Sequence, residues 1–334
     1  MRNIQILFKS RPKGWVDHSH FEIVENEAGE PDDGEVLIRN LYLSVDPYMR
    51  GRMRESKSYI AGFTLGKPLQ GGGVGEVVKS NAADIPVGTY VSGMVGWEEY
   101  SVAPSEGLLT VDPATAPLSS YIGALGMPSM TAWIGMKSIG KPKNGETVVV
   151  SAAAGAVGQI AGQLAKLNGC RVVGIVGSDT KLEYVVGDLG FDAGINYKAT
   201  DSIRDALANA CPKGVDVYFE NVGGEILDAV LANVNPFARI VACGMISQYN
   251  LQEPDGIHNL MSIVGNRVLM QGFIVTDHMD RLAEFHAEMG ALLRAGKVRY
   301  KEDITEGITN APSAFIGMLK GQNFGKAVVE IAKP

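Results

Sequence analysis

Residues 150–158 read VSAAAGAVG. Glycines between a strand and a helix suit a phosphate, because no side chain blocks its approach and the helix amides face it. Set on the pattern G-x-G-x-x-G, the stretch places Ala153, Gly155 and Gly158 at the fingerprint positions. Strand-like TVVVSA precedes it and helix-like GAVGQIAGQLAKLNG opens from it. Gly155 then lets backbone approach a pyrophosphate, and Gly158 lets helix and strand pack closely. Alanine in the first place requires a negative φ there, since a left-handed residue would call for glycine.

The following strand decides which dinucleotide fits. NAD binders usually carry an acidic residue about 20 residues after the loop, where it holds the ribose 2′-hydroxyl. Here that strand ends VVGIVGSDTK, so Gly177 or Ser178 takes the acidic place. Asp179 falls one or two residues late, at an expected helix N-cap. Lys181 lies in the next turn, and Tyr197 closes the next strand, INYK. A small residue, a hydroxyl and an ammonium suit a 2′-phosphate, which a carboxylate would repel. The reading is NADPH rather than NADH, although Lys181 alone reads equally well as a solvated helix lysine.

The elements that must hold this loop are legible from about Thr147 onward. Short β-branched runs (TVVVSA, CRVVGIVGS, INY, VDVYFEN, ARIVACG, RVLMQGFIV) alternate with helical patterns: GAVGQIAGQLAKLNG and others from about Asp179, Asp201 and Gly224. The runs are apolar throughout, as strands covered on both faces are, so the class is α/β with a doubly wound (Rossmann) parallel sheet. Residues 1–120 instead show short alternating stretches broken by Gly, Pro and Asp, which predicts antiparallel β structure. After Asp277 come a long amphipathic helix, DHMDRLAEFHAEMGALLRAG, a second helix, APSAFIGMLKG, and a last strand, GKAVVEIA. That strand has no helix after it, so it is assigned to the β-rich part. Residues 1–125 and 300–334 are thus expected to form a β-rich catalytic domain from both chain ends, around a nucleotide domain at 126–299.

The bulk properties agree with a globular protein of two domains: 334 residues, 46% hydrophobic, 20% charged. A net charge of −7 disfavours nucleic acid as a partner. No apolar run is long enough to span a bilayer, and the start, MRNIQILFKSRPKGW, lacks the pattern of a signal peptide, so the expected location is cytoplasmic. Cys170, Cys211 and Cys243 form no C-x-x-C pair. Of the five histidines only His18-x-His20 has metal-site spacing, and no third ligand accompanies it. A surface loop is the simpler account of that pair.

A β-rich domain followed by such a nucleotide unit resembles the medium-chain dehydrogenase/reductase superfamily. Its best-known members carry zinc on a cysteine after an early strand, a histidine in a G-H-E run and a later cysteine or acid. Here those places read LYLSVDPYMR and QGGGVGEVV, without cysteine or histidine, so no metal is expected. The stretches SVDPYMRGRM, GMPSMTAW, FDAGINYK, FENVGGEILD, CGMISQYN and GMLKGQNFGKAVV, with the loop itself, are similar to the zinc-free branch of prostaglandin, leukotriene and bacterial curcumin reductases. The likeness runs through the whole chain in order.

That resemblance implies a GroES-like β-rich domain, a homodimer, and NADPH-dependent reduction of the double bond of α,β-unsaturated ketones or aldehydes. Carried over by motif, Gly155, Ala156, Val157 and Gly158 would hold the pyrophosphate, and Ser178, Lys181 and Tyr197 the 2′-phosphate. Asn221, the run Cys243, Gly244, Met245, Ile246 and Ser247, the run Phe273, Ile274 and Val275, Met127 and Thr131 of GMPSMTAW, and Asn323 of GQNFGK would line the rest of the cofactor. Packing for Met127 and Phe273 and a turn for Asn323 are the bland alternatives.

Hydride addition to the β-carbon leaves negative charge on the carbonyl oxygen, which a hydrogen-bond donor stabilises. Tyr249, just past a strand end where the ligand crevice of such sheets opens, is the candidate donor. The ribose hydroxyl of the cofactor is the alternative one. Tyr48 and Arg50 of DPYMRGRM are candidate substrate contacts; Arg50, Arg52 and Arg54 also read as surface charge. A quinone reductase and a non-catalytic NADPH-binding protein are the competing functions.

Overall fold

The computed structural model describes residues 1–334. Two compact units are present: residues 1–126 with 302–334, and residues 127–301.

The first unit opens with the antiparallel pair β1 (Arg2–Phe8) and β2 (Phe21–Glu27). There follow β3 (Glu35–Ser44), the one-turn helix α1 (Met49–Arg52), β4 (Gln70–Ser80), β5 (Tyr90–Gly96), β6 (Tyr100–Pro104) and β7 (Leu109–Thr110). The ten residues of β3 are mostly buried because it is paired on both sides and lies in the middle of a seven-stranded sheet.

The second unit starts with α2 (Met127–Ile134) and then alternates strand and helix: β8 (Thr147–Ser151), α3 (Gly158–Leu167), β9 (Arg171–Val176), α4 (Asp179–Glu183), β10 (Ala193–Asn196), α5 (Ile203–Ala210), β11 (Val215–Glu220), α6 (Gly224–Leu231) and β12 (Val234–Ala242). A short α7 (Met261–Gly265), β13 (Leu269–Gly272) and α8 (Leu282–Arg294) complete it. All neighbouring strands of its sheet are parallel, in the order β10-β9-β8-β11-β12-β13. Every residue of TVVVS in β8 is buried, as a strand at the centre of a doubly covered sheet must be. The order reverses beside β8, which places the crevice of an open α/β sheet at its carboxyl end.

Two helix starts differ from the sequence reading. The helix expected from Asp201 begins at Ile203, because Ser202 stays extended and its hydroxyl accepts the Asp205 amide as an N-cap. The helix expected from Asp277 is α-helical only from Leu282, since His278 breaks the geometry of the preceding 3₁₀ turns.

The chain then returns to the first unit as β14 (Glu302–Glu306), α9 (Ala311–Leu319) and β15 (Lys326–Glu330). β15 pairs antiparallel with β3 and parallel with β14. The last strand, GKAVVEIA, therefore lies in the β-rich unit, with Val328 and Val329 fully buried. No helix is long and apolar enough to cross a membrane.

Candidate functional site

The glycine turn follows β8 directly. Its left-handed residue is Ala152, at φ 46°, one place before the first fingerprint position. Ala153 is not left-handed, which is why alanine is tolerated there, and its buried methyl faces Gly174 of β9. A Cβ on Gly174 would come 2.9 Å from that methyl. The Ala152 carbonyl accepts the Gly155 amide at 2.9 Å. A Cβ on Gly158 would strike the same carbonyl at 2.3 Å, so α3 starts pressed onto the turn. No side chain caps α3; its Gln159 and Ile160 amides return to Gly155 O and Val157 O at 3.0 and 3.2 Å, which leaves the amides of the turn up to Gly158 to suit an anion. Ala156 and Val157 complete this cradle.

At the end of β9 the structure corrects one expectation. The N-cap of α4 is Ser178, not Asp179: its extended backbone lets the hydroxyl accept the Lys181 amide at 3.3 Å. Asp179 is the first helical residue, and its carboxylate is held by Asn196 Nδ2 at 2.7 Å. β10 ends at Asn196, so Tyr197 lies just beyond the strand rather than in it. A Cβ on Gly177 would sit 3.1 Å from the Tyr197 ring and 3.5 Å from Lys198 Cε. The absent side chain thus makes room for a phenol and an ammonium. Lys198 was not singled out by sequence, because a lysine after a strand reads as solvated charge; its Nζ lies 5.8 Å from the Tyr197 ring centre. Lys181 is half-buried on α4.

Past β11 and β12, two loops are laced together. The Asn221 side chain donates to Ser151 O at 2.7 Å and its amide to Ser151 Oγ at 2.9 Å, joining the ends of β8 and β11. Glu220 is fully buried; its Oε1 accepts Tyr218 Oη and the Gly223 amide, both at 2.9 Å, while its main-chain carbonyl accepts the Cys243 and Gly244 amides. Burial pushes the Glu220 carboxyl above the usual range, against these bonds. Gly223 and Gly224, at φ 75° and 55°, let the Met245–Gln248 stretch dock where side chains would collide. Neither Ser151, Glu220 nor this glycine pair was singled out from sequence, and only the double glycine in FENVGG offered a signal.

Within the second loop, Tyr249 Oη accepts the Met245 amide at 3.2 Å, so the phenol folds back over its own turn. Ile246 and Ser247 bond to the Asn221 and Val222 carbonyls. Burial, then the Glu220 charge, pushes the Cys243 thiol up to about 12. Phe273, Ile274 and Val275 are half-buried just after β13. On α2, Thr131 Oγ1 donates to Met127 O at 2.8 Å, while the Met127 side chain is exposed.

Tyr48, Arg50 and Asn323 belong to the first unit. The expectation that Arg50, Arg52 and Arg54 are surface charge fails for the first two, which are 1% and 5% exposed. Arg50 donates to Gly14 O at 2.7 Å; Arg52 donates to Ala61 O at 2.9 Å and to Gln70 O and Oε1. Carbonyls 9 to 36 residues away in sequence receive these guanidiniums, so the residues beside them held no sign of burial. Burial lowers Arg50 to about 10. The Tyr48 phenol is hydrogen-bonded to Arg52, and burial, then the Asp46 carboxylate, holds its proton above the usual phenol range. Asn323 Nδ2 donates to Gly325 O at 2.8 Å, which makes a turn of GQNFG. His18 Nε2 meets Ser313 Oγ at 2.9 Å, and no group of three or more His, Cys, Asp or Glu could hold a metal ion.

Two family models match the chain: the N-terminal domain of oxidoreductase over residues 4–111 and zinc-binding dehydrogenase over residues 156–292. An NADPH-dependent curcumin reductase of Escherichia coli is 44% identical over 99% of this chain and 97% of its own length. A 2-alkenal reductase (NADP(+)-dependent) of Nicotiana tabacum is 44% identical over 99% of this chain and 98% of its own. The crystal structure of CurA in complex with NADPH from Vibrio vulnificus superposes with a TM-score of 0.94 at 44% identity, covering 100% of both chains.

Proposed function

We propose that this chain, which belongs to the medium-chain dehydrogenase/reductase family in the branch of the curcumin and prostaglandin reductases, reduces the carbon–carbon double bond of α,β-unsaturated ketones and aldehydes with NADPH. The observation that carries the reading is the end-to-end likeness to reductases whose names specify curcumin and 2-alkenals.

The residues fit the cofactor. The turn from Ala152 to Gly158 leaves backbone room and uncapped amides for a pyrophosphate. At Gly177 no carboxylate stands where a 2′-phosphate would lie, and Ser178, Tyr197, Lys198 and Lys181 surround the end of β9 with hydroxyls and ammoniums. We assign Asn221, Cys243–Ser247, Phe273–Val275, Met127, Thr131 and Asn323 to the remaining cofactor contacts.

When bound, NADPH supplies the hydride for the β-carbon. The chain's part is to orient the enone and to stabilise the enolate oxygen. Tyr249 is assigned that donor role because it lies in the loop that follows β12, at the carboxyl end of the sheet where the crevice opens, with its phenol oxygen fixed by the Met245 amide. An oxyanion donor is worth about 3 kcal/mol, and positioning supplies much of the remainder. Tyr48 and Arg50 are assigned to the substrate.

The homodimer is part of the same proposal. β13 is an open sheet edge, and exposed apolar side chains cluster by sequence around it: Phe237 (66% exposed), Met261 (76%), Val264 (71%) and Leu269 (50%). An unpaired apolar edge of this kind suits a second copy of the chain.

The deciding experiment follows NADPH absorbance with a simple enone, its saturated ketone and a quinone, each repeated with NADH. Oxidation with the enone and NADPH alone, giving the saturated ketone, is expected. Turnover of the quinone alone would overturn the substrate assignment, and equal rates with NADH would overturn the 2′-phosphate site.

A further inference from the structure

In the first unit a salt bridge lies almost wholly out of water. Lys326 Nζ sits 3.0 Å from Asp46 Oδ1, with the two side chains 2% and 6% exposed. The ammonium also donates to Val45 O and Ala327 O, both at 2.9 Å, so its three protons each have an acceptor. The second Asp46 oxygen accepts Ser44 Oγ. The pair stands where β3 ends at Ser44 and β15 begins at Lys326, and Val45 N donates to Ala327 O across it at 3.2 Å. From Asp46 the chain turns at once into α1: the Met49 amide returns to Asp46 O at 3.2 Å and the Arg50 amide to Pro47 O at 3.1 Å.

Such a pair is a poor source of stability. Desolvating two charges commonly outweighs their attraction, and apolar replacements of similar volume are often neutral or stabilising. What the pair does supply is geometry, because the Lys326 ammonium, fixed by Val45 O and Ala327 O, holds the Asp46 carboxylate at one point. Asp46 is two residues before Tyr48 and four before Arg50. Nearby, Glu302 also faces the lysine: a Cβ on Gly123 would lie 3.4 Å from Glu302 Oε1 and 3.5 Å from Lys326 Cγ. Ser119 Oγ holds the other Glu302 oxygen at 2.8 Å.

We propose that the buried Asp46–Lys326 pair is a positioning device for the substrate-facing segment Tyr48–Arg52, anchoring its turn to the returning C-terminal strand. The proposal rests on the assignment of Tyr48 and Arg50 to the substrate. Asp46 and Lys326 are positioning residues; neither is assigned a contact with enone or cofactor.

The test compares the parent, Tyr48→Phe, and the charge-free double variant Asp46→Leu with Lys326→Met. Thermal unfolding, NADPH affinity by fluorescence, steady-state rates with an enone and hydrogen exchange are measured on each full-length protein. The double variant is expected to keep its Tm and bind NADPH within twofold of the parent. Its kcat/KM for enone falls at least tenfold, and the amides of Met49, Arg50 and Gly51 exchange faster while those of β3 and β15 stay protected. Unchanged kcat/KM in the folded double variant overturns the proposal. So does a fall in kcat/KM with unchanged exchange at residues 49–51, since the charges would then act directly. If the double variant does not fold, Asp46→Asn, which keeps the shape but removes the charge and one of the two acceptor oxygens, is judged by the same criteria below its Tm. An impaired Tyr48→Phe beside an unimpaired double variant sinks the positioning role alone. If Tyr48→Phe is also unimpaired, the substrate assignment of Tyr48 falls with it.

Discussion

Gly177 shows how a missing atom can define chemistry. Its bare α-carbon lets the Tyr197 ring and the Lys198 side chain close over the end of β9. Replacing Lys198 with Met is expected to raise KM for NADPH roughly tenfold while leaving KM for NADH unchanged, because the loss is confined to a charge-assisted bond to phosphate. Equal effects on both cofactors in steady-state assays would remove Lys198 from the site. The cysteines give a second test at this scale. Burial pushes Cys170 and Cys211 up to about 11 and Cys243 up to about 12. At pH 7.5 all three are therefore held as thiols, which matters in a protein proposed to handle electrophilic enones. Cys170 and Cys211 should release no thionitrobenzoate within minutes from folded protein, and unfolded protein should release three equivalents per chain. As pH rises past about 9, where an exposed thiol ionises, the unfolded chain loses protons that Cys170 and Cys211 retain in the fold, so stability falls between about 9 and 11. Flat stability over that window, followed by denaturant titration, would contradict the buried thiols.

At the scale of elements, α3 does two things at once. Its first residue presses on the phosphate turn, and its Gln159 and Gln163 side chains bond to the main chain at Arg299 and Lys301 like a borrowed strand. Gly158→Ala brings a methyl against the Ala152 carbonyl, a collision with backbone that only a shift of the helix relieves. The expected cost is about 1–3 kcal/mol of stability, with NADPH affinity falling at least tenfold. Calorimetry and fluorescence titration check both halves, and intact affinity would mean the turn yields without harm. Gly158 was recognisable from its offset in VSAAAGAVG, whereas the gripping role of the glutamines was not, because their partners lie more than 130 residues away. The cap at Ser178 was missed for a related reason. Asp and Ser are both good caps, and the choice lay in which residue the chain holds extended.

For the whole molecule, the exposed apolar edge at β13 leads to a prediction of assembly. Met261→Lys with Val264→Asp is expected to shift the protein from dimer to monomer in light scattering, with unfolding still cooperative; a parent that is already monomeric, or a variant that stays dimeric, rules out that edge. The alternating apolar runs and the glycine loop determined the doubly wound class, and the missing acid after β9 determined which dinucleotide the loop suits, because periodicity and local spacing carry that information in a short window. The return of GKAVVEIA to the β-rich unit was also legible, from a strand with no helix after it. Only the tertiary structure decided that Arg50 and Arg52 are buried, that Lys198 joins Tyr197, and that Asp46 meets Lys326 across 280 residues. The physical reason is common to all three. The place of a charged side chain is set by acceptors or neighbours that other parts of the chain bring to it, and local sequence says nothing of where those come from.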